Sequence, residues 1–378
     1  MMKRYKTIDT IRGFCMIIMV GGHMLDWWLT AEDYWLFLFL YTFLAPLGAA
    51  GFVFISGTVT FLSYQRNMLK PEASDKLFRQ KLRNIYLFRA LFLLIISFIY
   101  NIVGAFTVFG GDIRAIWMWN ILQTLSFSFF IAWPLLKTSK ILRLILAIII
   151  LIINELILGV VKEHIGKANI CGFIFYILYF PLYLYPILPF FTIFLIGTIV
   201  GDLIYNLNLI EDKAERERAF KKKFIYPFIL LGSVISICGI VYLFPSFLYY
   251  STISATFYAI GVLFLFISIT LGIEEFEIFK LKKSYRFFFY YSYYSFTIYI
   301  AHNPLFFLFY RQLTVITIWI VVIPVLFIMT ILLRFIYIKL GPKASLKVGI
   351  SIISFLLATK IEKRKKRKIL EKETKISQ

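Results

Sequence analysis

Ten times along this chain a run of roughly 20 mostly apolar residues recurs between short polar stretches, and that is the length a helix needs to cross a bilayer. The runs fall at about 11–29, 35–63, 85–109, 115–136, 141–161, 173–206, 224–244, 252–273, 287–310 and 315–338. Inside hydrocarbon a backbone N–H or C=O has no water to bond, so a spanning segment pairs these groups within itself. The pattern therefore predicts an all-α polytopic integral membrane protein with about ten transmembrane helices. A hydrophobic fraction of 61% and a mean hydropathy of +0.83 agree, since soluble domains carry about 45–50% apolar residues. Two runs, 35–63 and 173–206, are too long for simple spans. Pro181, Pro186 and Pro189 predict an interfacial or broken helix at the start of the second, followed by the true span.

A net charge of +21 raises the possibility of nucleic-acid binding, but the basic residues lie between apolar runs and in the C-terminal tail rather than over a polar surface. Of the 41 Lys and Arg, 34 fall in the N-terminus, 64–83, 137–143, 209–223, 274–286 and 339–378; the alternate loops hold only Arg114, Lys162, Lys167 and Arg311. Positive loops stay on the cytoplasmic side, which predicts cytoplasmic N- and C-termini and an even span count in a multi-pass protein of the cell membrane. Lys3, Arg4 and Lys6 before an apolar run resemble a signal peptide. Asp26-Trp27-Trp28 follows instead of a small-residue cleavage site, so the run reads as a retained first span. Residues 1–345 read as a single transmembrane domain. In 346–378 an apolar stretch suited to the interface precedes a basic tail, Lys360–Lys375, suited to anionic lipid head groups. A homo-oligomer is left open. Cys15, Cys171 and Cys238 show neither disulfide nor metal-ligand spacing, and three scattered His give no metal set.

Ionisable groups inside a membrane are costly, so each is a functional candidate. The first span carries Asp9, Arg12, His23 and Asp26. Arg12 and His23 are eleven positions apart, with ten residues between them; that is about three helical turns, so both lie on one face with roughly 16 Å of axis between them. Arg12 falls near the cytoplasmic end and His23 in the outer half. A nucleotide-linked donor with a long arm, such as coenzyme A, fits that span. The alternative is that Arg12 merely pairs with Asp9 and His23 ties helices together. Further polar groups of the outer half are Asn101, Asn120, Gln123, Glu155, His302 and Asn303; Glu155 is placed to orient or charge-balance His23 or His302, or it marks an interface. His164 reads as a solvated loop residue.

Several of these residues sit in recognisable motifs. They are Asp9-x-x-Arg12-Gly13, the Arg-x10-His spacing, Gly51-Phe-Val-Phe-Ile-Ser-Gly57, Trp119-Asn-Ile-Leu-Gln123, Leu188-Pro-Phe-Phe191 with Gly197 and Gly201, and Ser295-Phe-Thr-Ile-Tyr-Ile-Ala-His302. In this order they resemble the transmembrane acyltransferases, and most closely the heparan-α-glucosaminide N-acetyltransferase catalytic-domain family. Two departures are visible. Leu44-Ala-Pro-Leu-Gly-Ala-Ala50 lacks the acid many members carry before this run, and Phe190 stands where Trp is usual.

The resemblance implies transfer of an acyl group, in the first place acetyl, from cytoplasmic acyl-CoA to an amine or hydroxyl, such as that of a sugar or glycan, at the outer face. His23 would act as general base or carry the acyl group, with His302 and Glu155 as further catalytic candidates. Arg12 and Asp9 are assigned to the donor; Asp26, Asn120, Gln123 and Asn303 to the acceptor. The competing class is a multi-pass transporter of a small polar solute, which broken helices and intramembrane charges also suit.

Overall fold

The computed structural model describes residues 5–107, 110–181, 184–248, 252–278 and 285–376. Fifteen α-helices are formed and no strand is present among these residues: α1 (Lys6–Trp28), α2 (Trp35–Leu44), α3 (Ala49–Met68), α4 (Lys76–Thr107), α5 (Ile121–Leu135), α6 (Lys140–Val161), α7 (Ile170–Tyr179), α8 (Ile187–Asn208), α9 (Lys213–Phe220), α10 (Tyr226–Tyr242), α11 (Ile253–Glu275), α12 (Tyr285–Tyr293), α13 (Ser295–Ala301), α14 (Thr317–Lys339) and α15 (Leu346–Ile376). Among the described residues nine helical segments are long and apolar enough to cross a membrane. The chain is an all-α polytopic membrane protein.

The expected long runs are broken where their sequences lose helical chemistry. Residues 35–63 divide into α2 and α3 around a 3-10 turn at Ala45–Leu47, where Pro46 has no N–H to donate. The Pro-rich run gives the short α7 and then the true span α8, which begins immediately after Pro186. One expectation fails. The run 287–310 is not one spanning helix but α12, α13 and a 3-10 turn at Asn303–Phe307. Tyr294 leaves helical geometry with φ −97° and ψ 16°. Pro304 then lies in the first turn of the 3-10 segment, where its missing donor is least costly. A second correction concerns Arg143, counted above with a basic loop. It lies in α6, fully buried, and is ion-paired with Asp202 while donating from Nη1 to Thr198 O at 3.1 Å.

The main core joins α1, α3, α5, α8 and α11, with α10 packed on α11 and α4 on α5. The α3–α8 crossing is unusually close because glycine faces backbone from both sides. A Cβ on Gly57 would lie 2.2 Å from Phe194 O, and one on Gly197 would lie 2.1 Å from Phe54 O. A second cluster packs α1 against α12, α13 and α14. The interfacial stretch and basic tail expected after residue 345 form one helix, α15, laid along α4. Glu362 pairs with Lys81 at 2.9 Å and Lys365 donates to Gln80 at 2.9 Å. By alternation of the spans, the loops around 64–83 and 209–223 and helix α15 gather at one end, termed the basic end. Lys3, Arg4, Lys280, Lys282 and Lys283 of the same charge set lie outside the described residues.

Candidate active site

Helix α1 runs parallel to the broken segment α12–α13, and that register assembles the site. At one level Arg12 Nε donates to Ser292 Oγ at 2.8 Å. Gly13 abuts the backbone of Phe288, where a Cβ would lie 2.1 Å from the carbonyl oxygen. Two to three turns further on, the His23 ring lies 5.2 Å from the His302 ring with the planes 26° apart. Trp27 completes a group of three nearly parallel rings, 5.0 Å from His23 and 5.8 Å from His302. Phe306 meets Trp27 edge-on at 5.7 Å.

His302 is buried, and its Nδ1 lies 3.1 Å from Ile298 O. A carbonyl oxygen only accepts, so Nδ1 carries the proton and Nε2 keeps its lone pair in the neutral ring. The hydrogen bond thus fixes one tautomer and leaves a basic nitrogen on the other side. No described residue is seen to hydrogen-bond to the His23 ring.

Tyr299, three residues before His302, stands 6.0 Å from it and 5.5 Å from Tyr100 of α4. The Tyr100 hydroxyl donates to Asn303 Oδ1 at 3.0 Å. Asn303 therefore ties the turn after α13 to α4. Asn120 and Gln123 lie beyond, in a buried amide network. Asn120 accepts from the N–H groups of Leu122 and Gln123 and so caps α5, while Asn101 donates to Gln123 Oε1 at 3.1 Å. Gln123 Nε2 is the unpartnered donor of this network. Asp26 sits one turn past His23 and accepts from the Tyr34 hydroxyl at 2.6 Å.

Three expected site residues, Glu155, Arg12 and Asp9, are placed apart from the ring group. Glu155 accepts the backbone N–H of Ile253 at the first turn of α11, where a carboxylate meets the positive end of the helix dipole. Its observed bond is to that helix and not to either histidine. Arg12 pairs with Asp9 at 2.7 Å, and Ser292 Oγ donates to Asp9 Oδ1 at 3.4 Å. Trp27 was missed as a site residue. Its place four positions after His23 on one helix face was the available signal. Tyr100 gave none, because its partner lies 203 residues away.

A family model described as heparan-alpha-glucosaminide N-acetyltransferase, catalytic, matches residues 4–243. This chain belongs to that family. It is accordingly a membrane protein of acetyltransferase type. Family members of this type use acetyl-CoA as donor. No curated protein matches the chain significantly. The family match includes the Arg12-to-His23 spacing and the α3 and α8 glycines, and it ends before α11. The motif Ser295–His302 lies outside it, so the tie between His302 and the family segment is the ring contact itself.

Proposed function

We propose that this protein moves an acetyl group from acyl-CoA at the basic, cytoplasmic end to an amine or hydroxyl of a sugar or glycan at the opposite face. The observation that carries this reading is the His23–His302 ring pair at 5.2 Å, which joins the family segment to the late motif. A neutral imidazole offers a lone pair to the proton of an attacking hydroxyl or amine. His23 acts as that base or is itself acylated first. In the first route, its ring nitrogen takes the acceptor proton as the acceptor attacks the thioester carbonyl and CoA sulfur leaves. In the second, the acyl group bonds to the nitrogen, CoA leaves, and the acceptor then displaces the histidine. His302, with Nε2 unprotonated, sits beside it to take or return a proton.

Trp27 covers the ring pair and limits water access, which protects an acyl intermediate from hydrolysis. Asn303, with Tyr100, and Asp26, with Tyr34, provide hydrogen-bonding groups near the pair for an acceptor. Asn120 and Gln123 support the wall behind them, and Gln123 Nε2 keeps a donor to offer. Arg12, bonded to Asp9 and Ser292, steadies the parallel register on which the ring contact depends. The deciding experiment is acetyl transfer by purified protein from labelled acetyl-CoA to glucosamine and to simple sugar alcohols. Labelled product from the wild type and none from His23→Ala supports the reading. A wild-type protein that transports a solute and never transfers acetyl groups overturns it in favour of the transporter.

A further inference from the structure

A cavity of about 240 Å³ lies at the basic end, remote from the ring pair, between α3, α4 and α15. Ser63, Asn67 and Lys70 line it from α3 and the residues just after, Lys81 and Arg89 from α4, and Phe355 from α15. Three cations therefore face one space, and no carboxylate lines it. Arg89 Nε is buried there without a hydrogen-bond partner. Lys81 is held in place on both sides, by Glu362 at 2.9 Å and over the Phe355 ring at 4.8 Å.

A buried guanidinium donor left unpaired is costly, and Lys70 adds a further cation that no carboxylate of the lining offsets. An anion relieves both. Lys81 and Arg89 are eight residues apart on α4, about 12 Å along the axis, so the cavity runs from the head-group level into the bundle. A multiply charged, elongated anion suits that shape better than a single small ion. We propose that this cavity binds the phosphate groups of a phosphate-bearing ligand, with Arg89 as the inner anchor and Lys70 and Lys81 at the mouth.

Two sources carry that chemistry. One is an anionic phospholipid, whose chains would leave past Phe355. The other is the diphosphate of the donor, and this arm alone rests on the function proposed above. It has its own geometric support. Arg89 and Tyr100 are eleven residues apart, so they share a face of α4 with about 16 Å of axis between them. Leu93 and Ile96 between them pack on the main core, and Tyr100 ends beside Asn303 and Tyr299. Arg12, already bonded to Asp9, is then not the group that holds the donor.

The test uses full-length protein in neutral-lipid nanodiscs. Coenzyme A binding is measured by calorimetry with and without inorganic pyrophosphate, and retention of phosphatidylglycerol is measured by native mass spectrometry. Arg89→Gln is expected to weaken one of the two ligands about tenfold or more, as loss of a charge-assisted contact does. Lys70→Gln, at an exposed position, is expected to weaken the same ligand about threefold and provides the test should Arg89→Gln not fold. Loss of coenzyme A affinity together with competition by pyrophosphate assigns the donor. Loss of phosphatidylglycerol alone assigns the lipid. Unchanged affinity for both in a folded variant overturns the proposal. Because neither readout involves acetyl transfer, an inactive protein that still binds through Arg89 would defeat the proposed function and leave this site standing.

Discussion

His23 and His302 stack with their ring centroids 5.2 Å apart, although one lies in the first span and the other in a broken segment near the end of the chain. The contact exists because α1 and α12–α13 run in parallel, bringing Arg12 to Ser292 at one level and Trp27 to Phe306 at another. Charging both imidazoles at once would be costly in so apolar a setting.

From this geometry, His23→Ala is expected to reduce acetyl transfer by a factor of about 10² or more, the usual range for a general base, with little change in acyl-CoA affinity. His302→Ala should reduce transfer less, because His302 acts through His23. Near-native transfer by His23→Ala alongside an inactive His302→Ala would reverse the roles. Both variants belong in one assay with a folding control.

Arg12→Ala should act mainly through stability. It leaves Asp9, which is buried, without its 2.7 Å partner, and breaking a buried pair costs about 3 kcal/mol or more. The double variant Arg12→Gln with Asp9→Asn should be more stable than Arg12→Ala, since neither member of the pair then stays charged. Thermal unfolding in detergent measures this. A stable Arg12→Ala with weakened coenzyme A binding would return Arg12 to the donor site.

Gly57→Ala should disrupt the α3–α8 crossing. The new Cβ would lie 2.2 Å from a backbone oxygen, which cannot rotate away as a side chain can. Overpacking of this kind costs about 1–3 kcal/mol or more. The expected outcome is a lower unfolding temperature and poor recovery of folded protein, while Gly104→Ala on α4, with no atom near its Cβ, should behave as wild type.

Cysteine accessibility tests the orientation. In a background with Cys15, Cys171 and Cys238 replaced, a cysteine at Ser74 should resist membrane-impermeant reagent on intact cells and react after permeabilisation. One at Lys167 should react from outside. The reverse pattern would invert the assignment made from the 34 basic residues on one set of loops.

Docking of α15 on α4 should depend on pH through Glu362. The Lys81 hydrogen bond, then the Lys81 charge with help from Lys366, hold its carboxyl below the usual carboxylate range despite an opposing effect of burial. A depressed folded-state value means that the contribution is present above the ordinary carboxylate pKa and is lost as pH falls through the lower, docked value. Hydrogen exchange along 358–366 should therefore rise on acidification. In Glu362→Gln it should already be high at neutral pH and change little.

Much of the architecture was legible because it depends on local chemistry. A run of about 20 apolar residues must form a helix in hydrocarbon whatever surrounds it. The prolines announced the break between α7 and α8. The break in 287–310 was less visible, since an uninterrupted aromatic run reads as a span. Its interruption at Tyr294 also depends on tertiary bonds: the Tyr294 hydroxyl donates to Gly341 O and Ser345 Oγ donates to Tyr293 O.

The residues with chemical potential were also legible singly, because a histidine or an arginine inside a membrane stands out against apolar neighbours. Their partners were not. The sequence by itself determined the helical membrane class, the shared face of Arg12 and His23, and the family motifs. Only the tertiary structure decided that Glu155 meets Ile253 rather than a histidine, that His302 reaches His23, and that Lys70, Lys81 and Arg89 surround one cavity. The physical reason is range. Helix formation is settled within a few residues by backbone hydrogen bonding, whereas these pairings depend on which helices lie side by side and at what register, and packing over the whole bundle sets both.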